Sequence, residues 1–419
     1  SFVASYVEYE IIKLDTNEIK LITEQDPQGQ YRWEPQMKEN GDYSFKARAY
    51  DNRGKSYESE MITAKIQTKP ELKLSGVSEG QTIDKPVNLL ASRNFDVSET
   101  EYVLRDLNTG KEESIAKMPY GGHRWFPSPE LSGKKEVLVR VKDTRGTSHE
   151  SRAIEVNLEG KPILLLEGVG PNQVLREPVN LSIKSNVSLD SVNYIFTKKD
   201  GGITKVIKGE NPTKEQTYTP TKADEGFWNI KAVGKYGGKE ISSENIPIRV
   251  YLGETYKSKA IIEKDKFLKM ASELGEKSWK KTGMSAALQT AQSILETGWG
   301  QSLPVDKYSG KESYNLFGIK GEGPAGSVTY NTWEVYNGQT YYVDANFRAY
   351  SNVEESWTDH KNFLFNSDRY KPFTQVMHDS TLGAWALKRS GYATDPQYAL
   401  KLMQIIEQYN LKELDKVKI

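Results

Sequence analysis

Through roughly its first 250 residues the chain alternates apolar and polar positions, as in YSFKARAY (43–50) and EVLVRVKD (136–143). That two-residue period belongs to half-buried strands. After Tyr251 the period lengthens. KDKFLKMASELGE (264–276) places Phe267, Leu268, Ala271 and Leu274 on one helical stripe, with Gly275 expected near its end. MSAALQTAQSILE (284–296) follows, with Ala287, Leu288, Ala291, Ile294 and Leu295 apolar and Gln289, Gln292, Ser293 and Glu296 along the other side. Gly298 and Gly300 stop this helix and hold Trp299 between them. Three more helical patterns lie around 353–366, 380–390 and 396–411. Before them, SVTYNTWEVYNGQTYYVDANFRAY (327–350) has two strand-like runs joined by Asn337-Gly338, a strong hairpin signal. The later part of the chain is therefore expected to be mostly helical with a small β lobe.

The strand-rich part is a repeat. FKARAYDNRGKSYES (45–59) returns as LVRVKDTRGTSHES (138–151) and, more faintly, as IKAVGKYGGKEISS (230–243), so that Gly54, Gly146 and Gly238 lie 92 residues apart. The same period links Lys69-Pro70 to Lys161-Pro162, Pro86-Val87-Asn88-Leu89 to Pro178-Val179-Asn180-Leu181, and Arg32-Trp33 to Arg124-Trp125. Units of about 90 residues built from short alternating strands read as immunoglobulin-like β-sandwiches. They resemble the sandwich repeats appended to surface enzymes of Gram-positive bacteria. Phe2, Ser5 and Tyr9 align with Phe95, Ser98 and Tyr102, so the first unit lacks a counterpart of 69–93 and the chain is expected to begin inside a repeat. The expected divisions are a truncated repeat at 1–69, repeats at 70–161 and 162–252, and the mostly helical region at 253–419. Trp33 and Trp125 are expected in sandwich cores, with sugar-stacking platforms as the alternative.

Composition narrows the function classes. The 419 residues are 37% hydrophobic, enough for several cores. Lys plus Arg and Asp plus Glu both total 57, so no net field steers the chain to nucleic acid or to an anionic membrane. No stretch approaches the roughly 18 apolar residues of a membrane span, and any export leader is expected to have been removed before Ser1. The absence of cysteine removes disulfides, thiol nucleophiles and thiolate metal sites, and fits a bacterial exported protein. The four histidines, His123, His149, His360 and His378, are far apart in sequence, which speaks against a zinc hydrolase. Neither metal nor cofactor is expected.

LETGWG (295–300), NLFGIKG (315–321), FRAYSN (347–352) and GYATDPQYA (391–399) occur in the order seen in glycoside hydrolase family 73, and the chain resembles these bacterial endo-β-N-acetylglucosaminidases over about its last two-fifths. The resemblance implies a lysozyme-like α+β fold, cleavage of the GlcNAc-β-1,4-MurNAc bond of peptidoglycan glycan strands, and a general acid at Glu296. It also puts the second acidic residue on the hairpin strand, where Glu334 is the choice, and places Tyr392 in the cleft near the acid. The localisation it implies is secreted and associated with a Gram-positive type of cell wall. Other wall polymers are expected partners of the repeats.

Chemistry agrees with these roles. A glycosidic oxygen is a poor leaving group near neutral pH and needs protonation by an acid whose pKa is raised by apolar surroundings. If Glu334 activates water, its carboxyl should stand roughly 6.5–9.5 Å or more from that of Glu296, against about 5–5.5 Å for a nucleophile. The substrate's own N-acetyl group is a third possibility. Trp299, Asn315, Phe317, Tyr392 and Tyr398 are candidates to line a sugar groove, since pyranose rings stack on aromatics and their hydroxyl and N-acetyl groups want directional partners. Each has a plainer reading: helix-end packing for Trp299, core packing for Phe317, and a solvated strand-edge carboxylate for Glu334. Asp395-Pro396 is explained as an acidic N-cap before a first-turn proline. A lytic transglycosylase or muramidase on the same fold, and a non-catalytic wall adhesin, remain as alternatives. Because the motifs are complete without the repeats, residues 255–419 are expected to fold and cut alone.

Overall fold

The repeated glycine marks a repeated turn. Gly54, Gly146 and Gly238 all have positive φ, of 74°, 86° and 79°, the conformation a Cβ disfavours. In the first two copies an aspartate organises the turn: Asp51 Oδ1 accepts from the Arg53 and Lys55 amides, and Asp143 Oδ1 from those of Arg145 and Thr147. In all three a serine beyond the turn caps the facing strand, with Ser59, Ser151 and Ser243 hydroxyls accepting from the amides of Ala47, Val139 and Ala232 at 2.9–3.0 Å. The sequence period is thus a period of hydrogen bonding.

The computed structural model describes residues 2–416, so the limits set at Ser1 and 419 lie outside the described residues. From Ala4 to Val250 the chain is built of strands. Ile19–Gln25, Ala4–Lys13, Gly41–Asp51, Ser56–Glu58 and Ile62–Ile66 form one five-stranded sheet. Its buried residues are Ile11, Tyr43 and Ser44, whereas the next two units enclose full cores. In the second unit a six-stranded and a three-stranded sheet enclose Leu89, Tyr102, Trp125, Val137, Val139 and Val156. In the third, Leu166, Leu181, Tyr194, Phe196, Trp228 and Ile248 pack between a three-stranded sheet and part of an eight-stranded one. Trp125 is therefore a core residue. Trp33 is half-buried, edge-on to Tyr43 at 5.2 Å.

Among the described residues the C-terminal region carries six α-helices: α1 Lys264–Thr282, α2 Ala286–Thr297, α3 Val353–Phe365, α4 Lys371–Thr374, α5 Ser380–Arg389 and α6 Tyr398–Gln408. Gly275 does not end α1, which runs on to a left-handed cap at Gly283. Its role is close approach: a Cβ there would lie 2.9 Å from Thr290 Oγ1 and 3.0 Å from Ala286 O of α2. The α6 helix starts two residues later than expected; Asp395 closes the turn before it by accepting from the Gln397 amide and pairing with Lys401.

Helix α2 sits at the centre, packed by α1, α5, α6 and the Leu411–Lys416 turn. Even its polar side is covered: Gln289, Thr290, Gln292 and Ser293 are all 0% exposed. A buried amide must be satisfied, and Gln289 is, accepting from Ser278 Oγ (2.7 Å) and Trp357 Nε1 (2.8 Å) while donating to the Met284 and Ser285 carbonyls.

Strands Ser327–Tyr336 and Gln339–Arg348 form the expected hairpin, turning at Asn337 and Gly338 with φ of 51° and 78°. It is not a free lobe. Gln339–Arg348 pairs with Gln173–Leu175 of the third unit, so the hairpin extends that unit's sheet. The first unit also touches the helices, where Trp385 Nε1 donates to Ser5 O at 2.8 Å and Arg389 pairs with Asp26.

Candidate active site

Glu296 occupies the last turn of α2. Ser285 caps the start of that helix by accepting from the Leu288 amide, and Gly298 ends it in the left-handed region at φ 54°. Trp299 and Gly300 follow with φ of 66° and 69°. Gly300 is required, since a Cβ would fall 2.2 Å from the Phe267 ring. The chain is thereby turned sharply away, and the Glu296 side chain is left solvent-accessible at the mouth of a buried helix.

Accessible at its tip, the carboxyl is otherwise walled by protein, and loss of hydration raises its pKa above the ordinary glutamate value. A hydrogen bond from Tyr398 Oη to Glu296 Oε1, 2.9 Å, acts in the opposite sense by favouring the charged form. Gln292, one turn earlier on α2, donates from Nε2 to the same tyrosine oxygen at 3.1 Å and so aims its proton at the acid. Gly318 lies across from the carboxyl, where an added Cβ would be 3.9 Å from Oε2.

Beside the acid stands an aromatic wall. Tyr392 stacks on Tyr398 at 5.8 Å, edges onto His360 at 5.9 Å and donates from Oη to Phe317 O at 3.3 Å. Burial and the nearby Glu296 push its hydroxyl pKa well up. Phe317 lies flat on His360, with centroids 3.8 Å apart and planes 5° apart. Burial brings the His360 pKa down to about 3, so the imidazole is neutral and behaves as one more aromatic plate.

Of the candidate residues, Glu296, Tyr392 and Tyr398 converge. Tyr398 proves to be the direct partner of the acid. Phe317, 3% exposed between His360 and Trp357, is a core residue whose carbonyl, not its ring, meets the site. Asn315 is 1% exposed and its amide is spent on the backbone: it donates to the Ile319 and Arg348 carbonyls, 3.0 Å each, and accepts from the Phe317 and Ile319 amides. It clamps the loop that carries Gly318, so the expectation that it meets sugar gives way to a loop-holding role. Trp299 is half-buried, edge-on to Tyr409 at 4.6 Å with Lys264 over its ring, which is helix-end packing.

Glu334 stands apart from this group. Its side chain is 58% exposed and pairs with Lys320 at 3.4 Å. Strand register puts it on the face of Tyr336 and opposite Tyr341, and both tyrosines pack on the third unit. The other face exposes Trp333 and Val335. Sequence reasoning missed Gln292, Gly318 and His360. For Gln292 a signal existed, since it lies four residues before Glu296 on one helix face; for the other two only the tertiary fold supplies it.

Residues 272–411 match the Glucosaminidase family model, described as mannosyl-glycoprotein endo-beta-N-acetylglucosaminidase. The chain is similar to the peptidoglycan hydrolase FlgJ of Pseudomonas aeruginosa, 37% identical over 146 residues that make up 34% of this chain and 36% of that protein. It is also similar to the exo-glucosaminidase LytG of Bacillus subtilis, 38% identical over 144 residues, 33% of this chain and 49% of that protein. The chain thus spans less than half the length of either relative. Among solved structures, the C-terminally truncated glycoside hydrolase domain of Salmonella typhimurium FlgJ is 36% identical, covering 35% of this chain and 98% of that one, with a TM-score of 0.30.

Proposed function

We propose, from the premise that this chain belongs through residues 272–411 to the glucosaminidase family of glycoside hydrolases, that it is a secreted, wall-associated peptidoglycan hydrolase cleaving the GlcNAc-β-1,4-MurNAc bond. The observation that carries this reading is the Glu296 carboxyl, held at the end of a covered helix with its pKa raised by lost hydration and its orientation set by Tyr398 and Gln292. A carboxylic acid whose pKa is raised keeps its proton to higher pH and gives it to the departing glycosidic oxygen as the bond to the anomeric carbon breaks. Glu334 is the proposed base that activates water on the opposite face of the ring, with the substrate N-acetyl group as the alternative nucleophile. Tyr392, half-buried beside the acid, supplies an aromatic edge for the sugar, with Tyr398 behind it as the partner of Glu296.

In the same reading the catalytic region, 253–419, has a lysozyme-like fold, and 1–69, 70–161 and 162–252 are three immunoglobulin-like repeats, the first truncated. The shared glycine turn and serine cap support the repeats. They are proposed to add contacts to wall polymers, which would raise avidity through multivalency. Pelleting of the full chain and of a repeat-free fragment with purified wall tests this, and equal pelleting would leave the repeats as spacers.

The deciding experiment for the reaction is mass spectrometry of purified wall digested by the full chain. New reducing GlcNAc ends are expected. Anhydro-muramyl ends would make it a lytic transglycosylase, reducing MurNAc ends a muramidase, and an unchanged wall a binding protein.

A further inference from the structure

One strand joins the acid's surroundings to a distant part of the chain. At its C-terminal end, Gln339–Arg348 holds the loop around Gly318: the Arg348 amide donates to Ile319 O and the Gly321 amide to Asn346 O, both at 2.9 Å. Near its middle the same strand meets the third β unit, with Val343 opposite Gln173 and the Asp344 amide donating to Asn172 O at 3.2 Å. The ring of Tyr341 lies on Gly170 so closely that a Cβ there would be 2.6 Å from Cγ and 3.1 Å from Cβ of the tyrosine. At the hairpin tip, Arg124 of the second unit donates to Asn337 O at 2.9 Å and to Asn337 Oδ1 at 3.2 Å. From the helical side, Asp344 takes Lys307 and the Tyr308 hydroxyl, and Arg249 of the third unit lies 3.5 Å from the centroid of the Tyr308 ring.

A two-stranded hairpin is marginally stable by itself in water; this one is braced from the helical region by Asp306, Lys307 and Tyr308 and from the β units by Gly170, Asn172, Gln173 and Arg124. We infer that Tyr341 and Arg124, seated through Gly170 and Asn337, are positioning residues for the hydrolytic site. They fix the hairpin, and through Asn346 and Arg348 they fix the loop that sets Gly318 against Glu296. The third β unit is then a part of the catalytic unit and not a spacer. This inference rests on the reading of Glu296 as the acid.

The test is Gly170→Ala in the full chain. The backbone of Gly170 does not have positive φ, so alanine fits it locally. The added methyl meets the root of Tyr341 and not a flexible tip, so the hairpin itself must shift. The expected result is faster hydrogen exchange at amides 327–348 and kcat/KM on purified wall roughly tenfold lower, the scale of a misplaced catalytic geometry. In a Tyr341→Ala background the same methyl should add less, because the ring atom at 2.6 Å is gone and only the 3.1 Å approach to Cβ is left. Unchanged exchange and kcat/KM in Gly170→Ala, or full additivity with Tyr341→Ala, overturns the inference. If Gly170→Ala unfolds the third unit, seen in the fluorescence of its buried Trp228, Arg124→Ala carries the same two readouts from another unit. Should the wild-type chain fail to cut wall, the activity reading fails, and hydrogen exchange alone still decides whether the hairpin is held from outside.

Discussion

Glu296 is the exposed end of a helix whose body is buried, whereas Glu334 stands on a hairpin strand with its side chain 58% exposed and part of the hairpin's support drawn from another unit. The contrast separates two kinds of placement. The Glu296 carboxyl is held by contacts within the helical core, where Gln292 donates to Tyr398 and Tyr398 donates to Glu296. Proton donation, the role proposed for Glu296, demands this, since the donor must lie within hydrogen-bond reach of one oxygen. The hairpin is held at points along both strands, Thr329 and Asp344 among them, and at its tip.

The largest expected effect strikes the rigid half. Glu296→Gln keeps size and hydrogen bonding but has no proton to give, so clearing of purified wall should slow by about a hundredfold or more while thermal unfolding is unchanged. Turnover close to wild type would remove Glu296 from its role and dissolve the contrast. Next, the supported half can be deprived of its support. A fragment of residues 253–419 should keep its helices, because the core cluster around α2 is drawn almost entirely from that segment. Its kcat/KM should nevertheless be lower by roughly tenfold or more, and extension to 162–419 should restore it. Equal activity of the short fragment and the full chain would return the third unit to the rank of spacer.

Glu334→Gln comes third. Loss of a general base costs up to a few orders of magnitude when the base is well placed; for an exposed carboxylate paired with Lys320 we expect roughly tenfold, read from initial rates on soluble glycan fragments. Full activity would leave Glu334 a solvated strand residue and point to the substrate's N-acetyl group as the second player.

The same division governs what could be read from the chain. Features encoded by neighbours in sequence were legible: the glycine turns, the Asn337-Gly338 hairpin, the helix ending at Gly298. Features that need a partner from elsewhere were not. Gly275 reads as a helix terminator until α2 is laid against it, and Asn315 reads as a sugar ligand until the carbonyls of Ile319 and Arg348 take its amide. The polar side of α2 reads as solvent-facing, yet Gln289, Gln292 and Ser293 are buried and only Glu296 at its end is exposed. Pairing of Gln339–Arg348 with Gln173–Leu175 joins segments far apart in the chain, and a one-residue contact between Gln173 and Val343 leaves no periodic trace in sequence.

The smallest expected effect sharpens the account of the acid itself. Tyr398→Phe keeps the ring that stacks on Tyr392 and removes the hydroxyl that donates to Glu296. That hydrogen bond stabilises the carboxylate, so it holds down a pKa that desolvation raises. Without it the pKa should climb further. A general acid works only while protonated, so activity falls as pH rises through its pKa, and the alkaline limb of the pH profile should move to higher pH in the variant. On the plateau below that limb, kcat should drop only a few-fold, since the proton remains available but the carboxyl loses the partner that orients it. The ratio of wild-type to variant activity should therefore narrow as pH rises across the wild-type limb. A limb that moves to lower pH instead would mean that the tyrosine oxygen accepts from a protonated Glu296, with the Tyr398 hydrogen turned elsewhere and the carboxylic acid, not the carboxylate, the form it stabilises.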